Sequence, residues 1–485
     1  MALMLGTKQL LINGEWRDAS GGKTMPVVNP ATEEVIAEVA NASAADVDAA
    51  VAAARAALDG PWGKMSARER GRLVWKLGDR LMEKIDETAR LETLHNGKPI
   101  TESRHIELPM AAECLQYFAG WADKFGGETV PVKGNSFVYT LREPLGVVAA
   151  IVPWNFPLLL AIWKVAPALA MGNTVILKPA SQTPLTALAL GEMGREVGLP
   201  PGVLNIITGS GSTTGQAIVD HPGIDKIAFT GDTSTGRGIM RSAAGTLKHL
   251  TLELGGKSPN IVFPDADLDA AIRGATIGIF YGKGEVCAAG SRLLVDKSIK
   301  DQFIAKLAER AKKMVPGDPM DPKTRLGAIS SKGHLERVLQ YVDTAKKEGA
   351  SLVAGGSRAD IGTGKGYFMQ PTVFADVKPE MTIAREEIFG PVLAAIEFAD
   401  VDEAIARAND SVYGLAAGVW TKDIKKAHYV ASKLKAGTVW VNTYNVYDTA
   451  VPFGGYKQSG FGREMSQHAL DYYTQIKAVW VDLNQ

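Results

Sequence analysis

Cys287, one of two cysteines in 485 residues, lies in the stretch Gly282-Lys-Gly-Glu-Val-Cys-Ala-Ala-Gly-Ser-Arg292. A thiolate is a strong nucleophile. Glycines around it let backbone N–H groups approach a reacting atom closely. The pairing suggests covalent catalysis, although a lone cysteine more often fills a core. Glu253, in Leu252-Glu-Leu-Gly-Gly256, ends an apolar run with two glycines making room beside it. A carboxylate so placed should have a raised pKa and suits a general base; a salt-bridged strand end is the commoner case. Asn155, in Pro153-Trp-Asn-Phe-Pro157, carries an amide that can stabilise an oxyanion or merely satisfy a turn.

These candidates need rigid elements to hold them. From Leu145 the chain alternates short apolar runs (Val147–Val152, Thr174–Leu177, Val203–Ile207, Lys226–Phe229, Leu250–Leu254) with helical stretches (Leu158–Ala170, Leu185–Val197, Thr213–Asp220, Thr235–Ala243). That rhythm predicts an α/β fold with a doubly wound, Rossmann-type parallel sheet and ligands at its carboxyl edge. A second α/β series runs from Ile261 to about Val441. The first part, to about Asp123, reads as mainly helical, with Ser43 and Ser66 as N-caps. Residues 125–143 read as an extended, protruding hairpin. Tyr472–Leu483 reads as an apolar strand that an intersubunit sheet with Phe137–Leu141 would cover.

Bulk properties narrow the function. Balanced charges, 53 basic and 53 acidic, give no field suited to nucleic acid or an anionic membrane. Two cysteines form no disulfide framework and no metal-binding spacing, and the seven histidines form no His-Glu-x-x-His, so no metal is expected. With no secretory signal or bilayer-length apolar run, a cytoplasmic protein is expected. Gly209-Ser-Gly-Ser-Thr-Thr-Gly215 misses the dinucleotide spacing. Gly231-Asp-Thr-Ser-Thr-Gly236 lacks the P-loop ending, yet its turn after a strand could present N–H groups to a pyrophosphate.

Taken together, Pro153–Pro157, Lys178-Pro-Ala-Ser-Gln-Thr-Pro184, Phe229-Thr-Gly231, Leu252–Pro259, the Cys287 stretch, Glu386-Glu-Ile-Phe-Gly-Pro391 and Pro452–Gly460 closely resemble the aldehyde dehydrogenase superfamily, in order and over nearly the whole chain. The resemblance implies a cofactor domain (1–125 and 145–255), a catalytic domain (256–460) and oligomerisation segments (126–144 and 461–485). It implies a homo-oligomer, with a tetramer favoured over a dimer, and oxidation of a small-molecule aldehyde with NAD or NADP.

By the same resemblance, Cys287 attacks the aldehyde, its backbone N–H and Asn155 hold the oxyanion, and Glu253 activates the water that hydrolyses the thioester. Lys164 and Glu464 match a proton-exit path. Lys178 matches the lysine at the adenosine ribose, Glu387 and Phe389 match residues placing the nicotinamide, and Trp154 lies beside the cofactor. Phe156, Leu160, Trp163, Val286, Tyr447 and Phe453, with Asn445 nearby, would line a substrate pocket for apolar aliphatic or aromatic aldehydes. That aromatic box also suits betaine aldehyde through cation–π attraction.

Three positions depart from the family pattern. Ser181 stands where strict NAD users carry a glutamate that would repel a 2′-phosphate. Asp232 puts an anion beside the pyrophosphate turn, where only an outward orientation suggests itself. Glu285 replaces a common glutamine and is expected to turn toward its loop. A CoA-acylating enzyme, generally lacking the general base, and a non-catalytic binding protein on the same fold are the alternatives.

Overall fold

The structure is a computed structural model describing residues 5–484. Its centre is an eight-stranded sheet in the order Gly460–Phe461, His249–Glu253, Lys226–Thr230, Val147–Ile151, Thr174–Lys178, Leu204–Ile206, Leu10–Ile12, Glu15–Arg17. The five strands from His249–Glu253 to Leu204–Ile206 run parallel. Val147–Ile151, Thr174–Lys178 and Lys226–Thr230 are buried at every position, as a sheet covered on both faces demands. Helix Pro157–Ala170 is buried along its whole length, which explains its lack of a polar face.

A second sheet of seven strands, Ser351–Ala354, Thr372–Ala375, Val392–Phe398, Arg292–Asp296, Pro259–Val262, Ala416–Trp420 and Thr438–Val441, is parallel except at its first pair. The Cys287 loop enters this sheet at Arg292. Glu253, by contrast, ends a strand of the first sheet, so the two candidates approach each other from different sheets.

Several expectations need correction. The first part is not mainly helical before residue 44: strands at Thr7–Lys8, Leu10–Ile12, Glu15–Arg17, Thr24–Asn29 and Glu34–Ala40 precede the helices. These runs are short and their burial is mixed, so they carry little period-two signal. Met1–Met4 of this part lie outside the described residues. Ser66 does cap its helix, accepting from the Glu69 N–H at 3.3 Å while Glu69 accepts from the Ser66 N–H at 2.9 Å.

Of the segment 461–485, only Thr474–Asp482 joins the hairpin; Phe461 pairs with Leu252, and Ala469, Leu470 and Tyr473 pack into the core. The pairing of Thr474–Asp482 with Ser136–Pro144 is antiparallel and lies within one chain, so the apolar strand is not first covered by another subunit. The arm still exposes Phe137, Leu141, Ile476 and Trp480, the last two at 64% each. Among the described residues, no helix is long and apolar enough to cross a membrane.

Candidate active site

Cys287 sits where two cavities meet, for its side chain lines both. The first, about 200 Å³, is bounded by Trp154, Asn155, Gly231, Asp232, Gly255, His334, Arg337, Glu387 and Phe389. The second, about 360 Å³, is bounded by Phe156, Leu160, Trp163, Tyr281, Val286, Asn445, Tyr447 and Phe453. All seven residues expected at a substrate pocket therefore face one space. Its walls mix aliphatic and aromatic side chains, with Trp163, Tyr447 and Phe453 centroids 5.6–6.5 Å apart and Phe156 stacked on Tyr281 at 6.2 Å. No arginine or lysine lines it, while Glu107 does.

Burial pushes the Cys287 thiol up to about 12, with the Glu387 and Glu253 carboxyls adding to the shift; the backbone N–H groups of Ala288 and Cys287 work the other way. Those donors favour negative charge at this point. Asn155 is buried, and its Nδ2 donates to the Glu285 carbonyl at 2.8 Å. An amide nitrogen carries two hydrogens, so one remains for a reacting oxygen.

Glu253 ends its strand nearly fully buried, and neither carboxylate oxygen has a hydrogen-bond partner. Burial, then the nearby Glu464, holds its carboxyl well above the usual range, with Lys164 and Arg463 partly opposing. The glycines beside it permit the crowding. A Cβ on Gly256 would stand 2.3 Å from the Cys287 carbonyl oxygen, and one on Gly454 would stand 2.8 Å from Glu253 Oε1. Lys164 and Glu464 are paired at 2.7 Å, and Lys164 also donates to Thr230, the register neighbour of Glu253, at 2.7 Å.

The first cavity suits a nucleotide. Glu387 Oε1 accepts from the Gly256 N–H at 2.8 Å, and its carboxyl is pushed up to about 7, chiefly by burial. A Cβ on Gly255 would come within 2.2 Å of Glu387 Oε2, so only glycine leaves room for that carboxyl. Trp154, His334 and Phe389 form an aromatic wall, Phe389 holding a φ of 62° rarely adopted outside glycine. Lys178, at the carboxyl end of its strand, packs against Gly215, and burial lowers its ammonium to about 8. Ser181 lies beyond it with only a 3.4 Å contact to Gln182. Neither borders the first cavity; they mark a separate point along the same sheet edge.

Gly231 gives its own N–H to the Glu253 carbonyl at 3.0 Å, so it does not itself present a donor. Asp232 is not simply turned outward: it caps helix Thr233–Ala243, accepting from the Ser234 N–H at 2.8 Å and the Thr235 N–H at 3.3 Å. Glu285 turns from the cysteine into its loop, pairing with Lys283 at 2.8 Å and accepting from the Ser330 N–H at 3.0 Å.

Sequence reasoning missed Asn96, Lys283, Arg337 and His334. The last two stand three apart on helix Lys332–Lys347, hence on one face, a spacing readable once the helix is drawn. Among the described residues, no group of three His, Cys, Asp or Glu side chains is placed to hold a metal ion.

The profile of the Aldehyde dehydrogenase family matches residues 16–479. The mitochondrial aldehyde dehydrogenase of Homo sapiens is 50% identical over 481 residues, covering 98% of this chain and 92% of that protein. The NAD+ complex of aldehyde dehydrogenase from Bacillus cereus superposes with a TM-score of 0.98 at 50% identity, covering 99% of this chain and 98% of that one. The indole-3-acetaldehyde dehydrogenase AldA of P. syringae, in complex with NAD+ and IAA, gives a TM-score of 0.96 at 44% identity, covering 98% of this chain and 97% of that one.

Proposed function

The chain belongs to the aldehyde dehydrogenase family, and on that premise we propose that it oxidises an aldehyde to the free carboxylic acid with NAD(P)+ through a covalent adduct on Cys287. The carrying observation is that Cys287 borders both cavities. An aldehyde carbon bonded to its sulfur has the apolar cavity on one side and the Glu387–Phe389 cavity on the other.

The Cys287 thiol gives up its proton, with ionised Glu253 able to help take it, the resulting thiolate adds to the carbonyl carbon, a C–S bond forms, and the carbonyl electron pair moves onto oxygen. Asn155 Nδ2 and the Cys287 N–H hold that oxyanion. Bound NAD(P)+ supplies the acceptor for the hydride that leaves the same carbon, and the reformed C=O makes a thioester. Glu253 in its ionised form takes a proton from water; attack of the hydroxyl breaks the C–S bond and frees the acid. The Lys164–Glu464 pair offers that proton a way out. A raised carboxyl is a stronger base once ionised, so hydrolysis gains with rising pH as Glu253 loses its proton.

Lys178 and Ser181 would meet the adenosine ribose, and with no carboxylate at 181 to repel a 2′-phosphate, NADP+ or dual use is allowed and NAD+ is not excluded. Ser181→Glu should lower kcat/KM for NADP+ by tenfold or more, on the order of one like-charge repulsion, and change NAD+ use far less. Equal losses would place Ser181 away from the 2′ position. The aromatic walls favour apolar aliphatic or aromatic aldehydes, and they also suit a quaternary ammonium such as betaine aldehyde. The P. syringae relative, named for an aromatic aldehyde, supports the aromatic choice.

Initial rates with NAD+ and NADP+ across short aliphatic, long aliphatic, aromatic and betaine aldehydes test the reading, and no reduced cofactor with any of them would end it. Faster acyl-CoA than acid formation when CoA is added would instead favour an acylating enzyme.

The division into a cofactor domain, a catalytic domain and an oligomerisation arm fits the two sheets and the hairpin. The exposed apolar arm supports a tetramer; a dimer or monomer in sedimentation equilibrium would refute it. Two free cysteines suit a reducing cytoplasm.

A further inference from the structure

Three successive residues before the nucleophile hold left-handed backbone: Gly282 (φ 55°), Lys283 (φ 62°) and Gly284 (φ 73°). Glycine adopts this freely. Lysine does not, and a non-glycine residue held there persists only where its surroundings fix it.

The side chain of Lys283 shows what fixes it. It is buried, and its Nζ reaches Asn96 Oδ1 at 2.7 Å, the Asn96 carbonyl at 3.0 Å and Glu285 Oε2 at 2.8 Å. Two of the ammonium's donors are taken by Asn96, and Glu285 balances its charge as an ion pair whose Oε2 accepts no hydrogen bond. Asn96, fully buried, then donates Nδ2 to the Trp154 carbonyl at 2.7 Å and sits 3.4 Å from the Asn155 carbonyl. Asn155 closes the ring by donating to the Glu285 carbonyl.

We propose that Lys283 is a positioning residue for the oxyanion pocket, its ammonium tying the cysteine loop to the Trp154–Asn155 turn through Asn96. The inference rests on the role given above to Asn155. The two halves of the pocket, the Cys287 N–H and the Asn155 amide, come from chain segments about 130 residues apart in sequence. Their separation sets how well both reach one oxygen, and a displacement of about 1 Å is enough to cost a large factor in rate. The useful property of Lys283 is its donation to Asn96, and its charge is balanced by Glu285.

Two double variants isolate that donor: Lys283→Gln/Glu285→Gln keeps an amide donor, and Lys283→Met/Glu285→Gln removes it. Neither leaves a buried charge unpaired, which protects folding, and thermal melts should confirm it. The Met pair should turn over aldehyde, and cleave 4-nitrophenyl acetate without cofactor, at least about tenfold more slowly than the Gln pair. Aldehyde KM and NAD+ dissociation constant should agree within about threefold, since the donor acts on the developing oxyanion. In an Asn155→Ala background the two pairs should differ by less than about twofold, because the group being positioned is gone. Equal kcat for the two pairs, or a tenfold gap surviving Asn155→Ala, would overturn the proposal. Wild-type turnover by Asn155→Ala alone would instead refute the role of Asn155.

Discussion

Cys287→Ser should lose at least about a thousandfold in kcat with every aldehyde, while NAD+ binds as before. Serine is close to isosteric, but its hydroxyl must be deprotonated to attack, and the site is poor at making anions. Burial and two neighbouring carboxyls already lift the thiol to about 12, against backbone donors that favour the charged form. An alcohol starts from a much higher intrinsic pKa, so its attacking form is rarer still. Stopped-flow absorbance of the reduced cofactor, with cofactor binding read by tryptophan fluorescence, separates lost chemistry from lost binding. Activity within tenfold of wild type would remove Cys287 from the reaction.

Glu253→Gln should give a burst of reduced cofactor near one equivalent per active site, followed by steady turnover about a hundred- to ten-thousandfold below wild type, the range for removing a general base. Attack and hydride departure make the thioester, with the thiol proton passing to solvent in the variant, whereas hydrolysis of the thioester needs the base at every turnover. The pH dependence has a definite sign. Glu253 is held above the ordinary carboxylate range, so its ionised fraction, and with it wild-type hydrolysis, climbs as pH rises through that elevated value. In Glu253→Gln this climb should vanish, because an amide does not titrate. A variant with no burst and a retained pH rise would place the base elsewhere.

The sheet strands were legible because parallel strands covered on both faces leave unbroken apolar runs such as Val147–Ile151. The first 40 residues were not, since their strands are short and, apart from the buried Leu10–Ile12, partly exposed. Cys287, Glu253 and Asn155 could be singled out by residue type and glycine context, and the structure brings Cys287 and Asn155 to one cavity wall. What made the site hard to complete is that its supporting groups are ordinary in sequence. Asn96 ends a helix and Lys283 reads as a loop charge; only the fold buries them together. Asp232 shows the reverse error, for an acid at a nucleotide turn suggested only an outward orientation, whereas its carboxylate caps the following helix. Glu285 lay where expected, held in its own loop by Lys283 and Ser330.

The central claim is a covalent acyl intermediate on Cys287, with Glu253 needed to release it. Mixing Glu253→Gln with excess aldehyde and NAD+, quenching in acid and measuring intact mass tests both parts at once. The account predicts a mass increase equal to the acyl group, located by peptide mapping at Cys287, present in most of the protein and absent when Cys287→Ser is added. An unmodified Cys287 during turnover, or an adduct at Cys114, would contradict it.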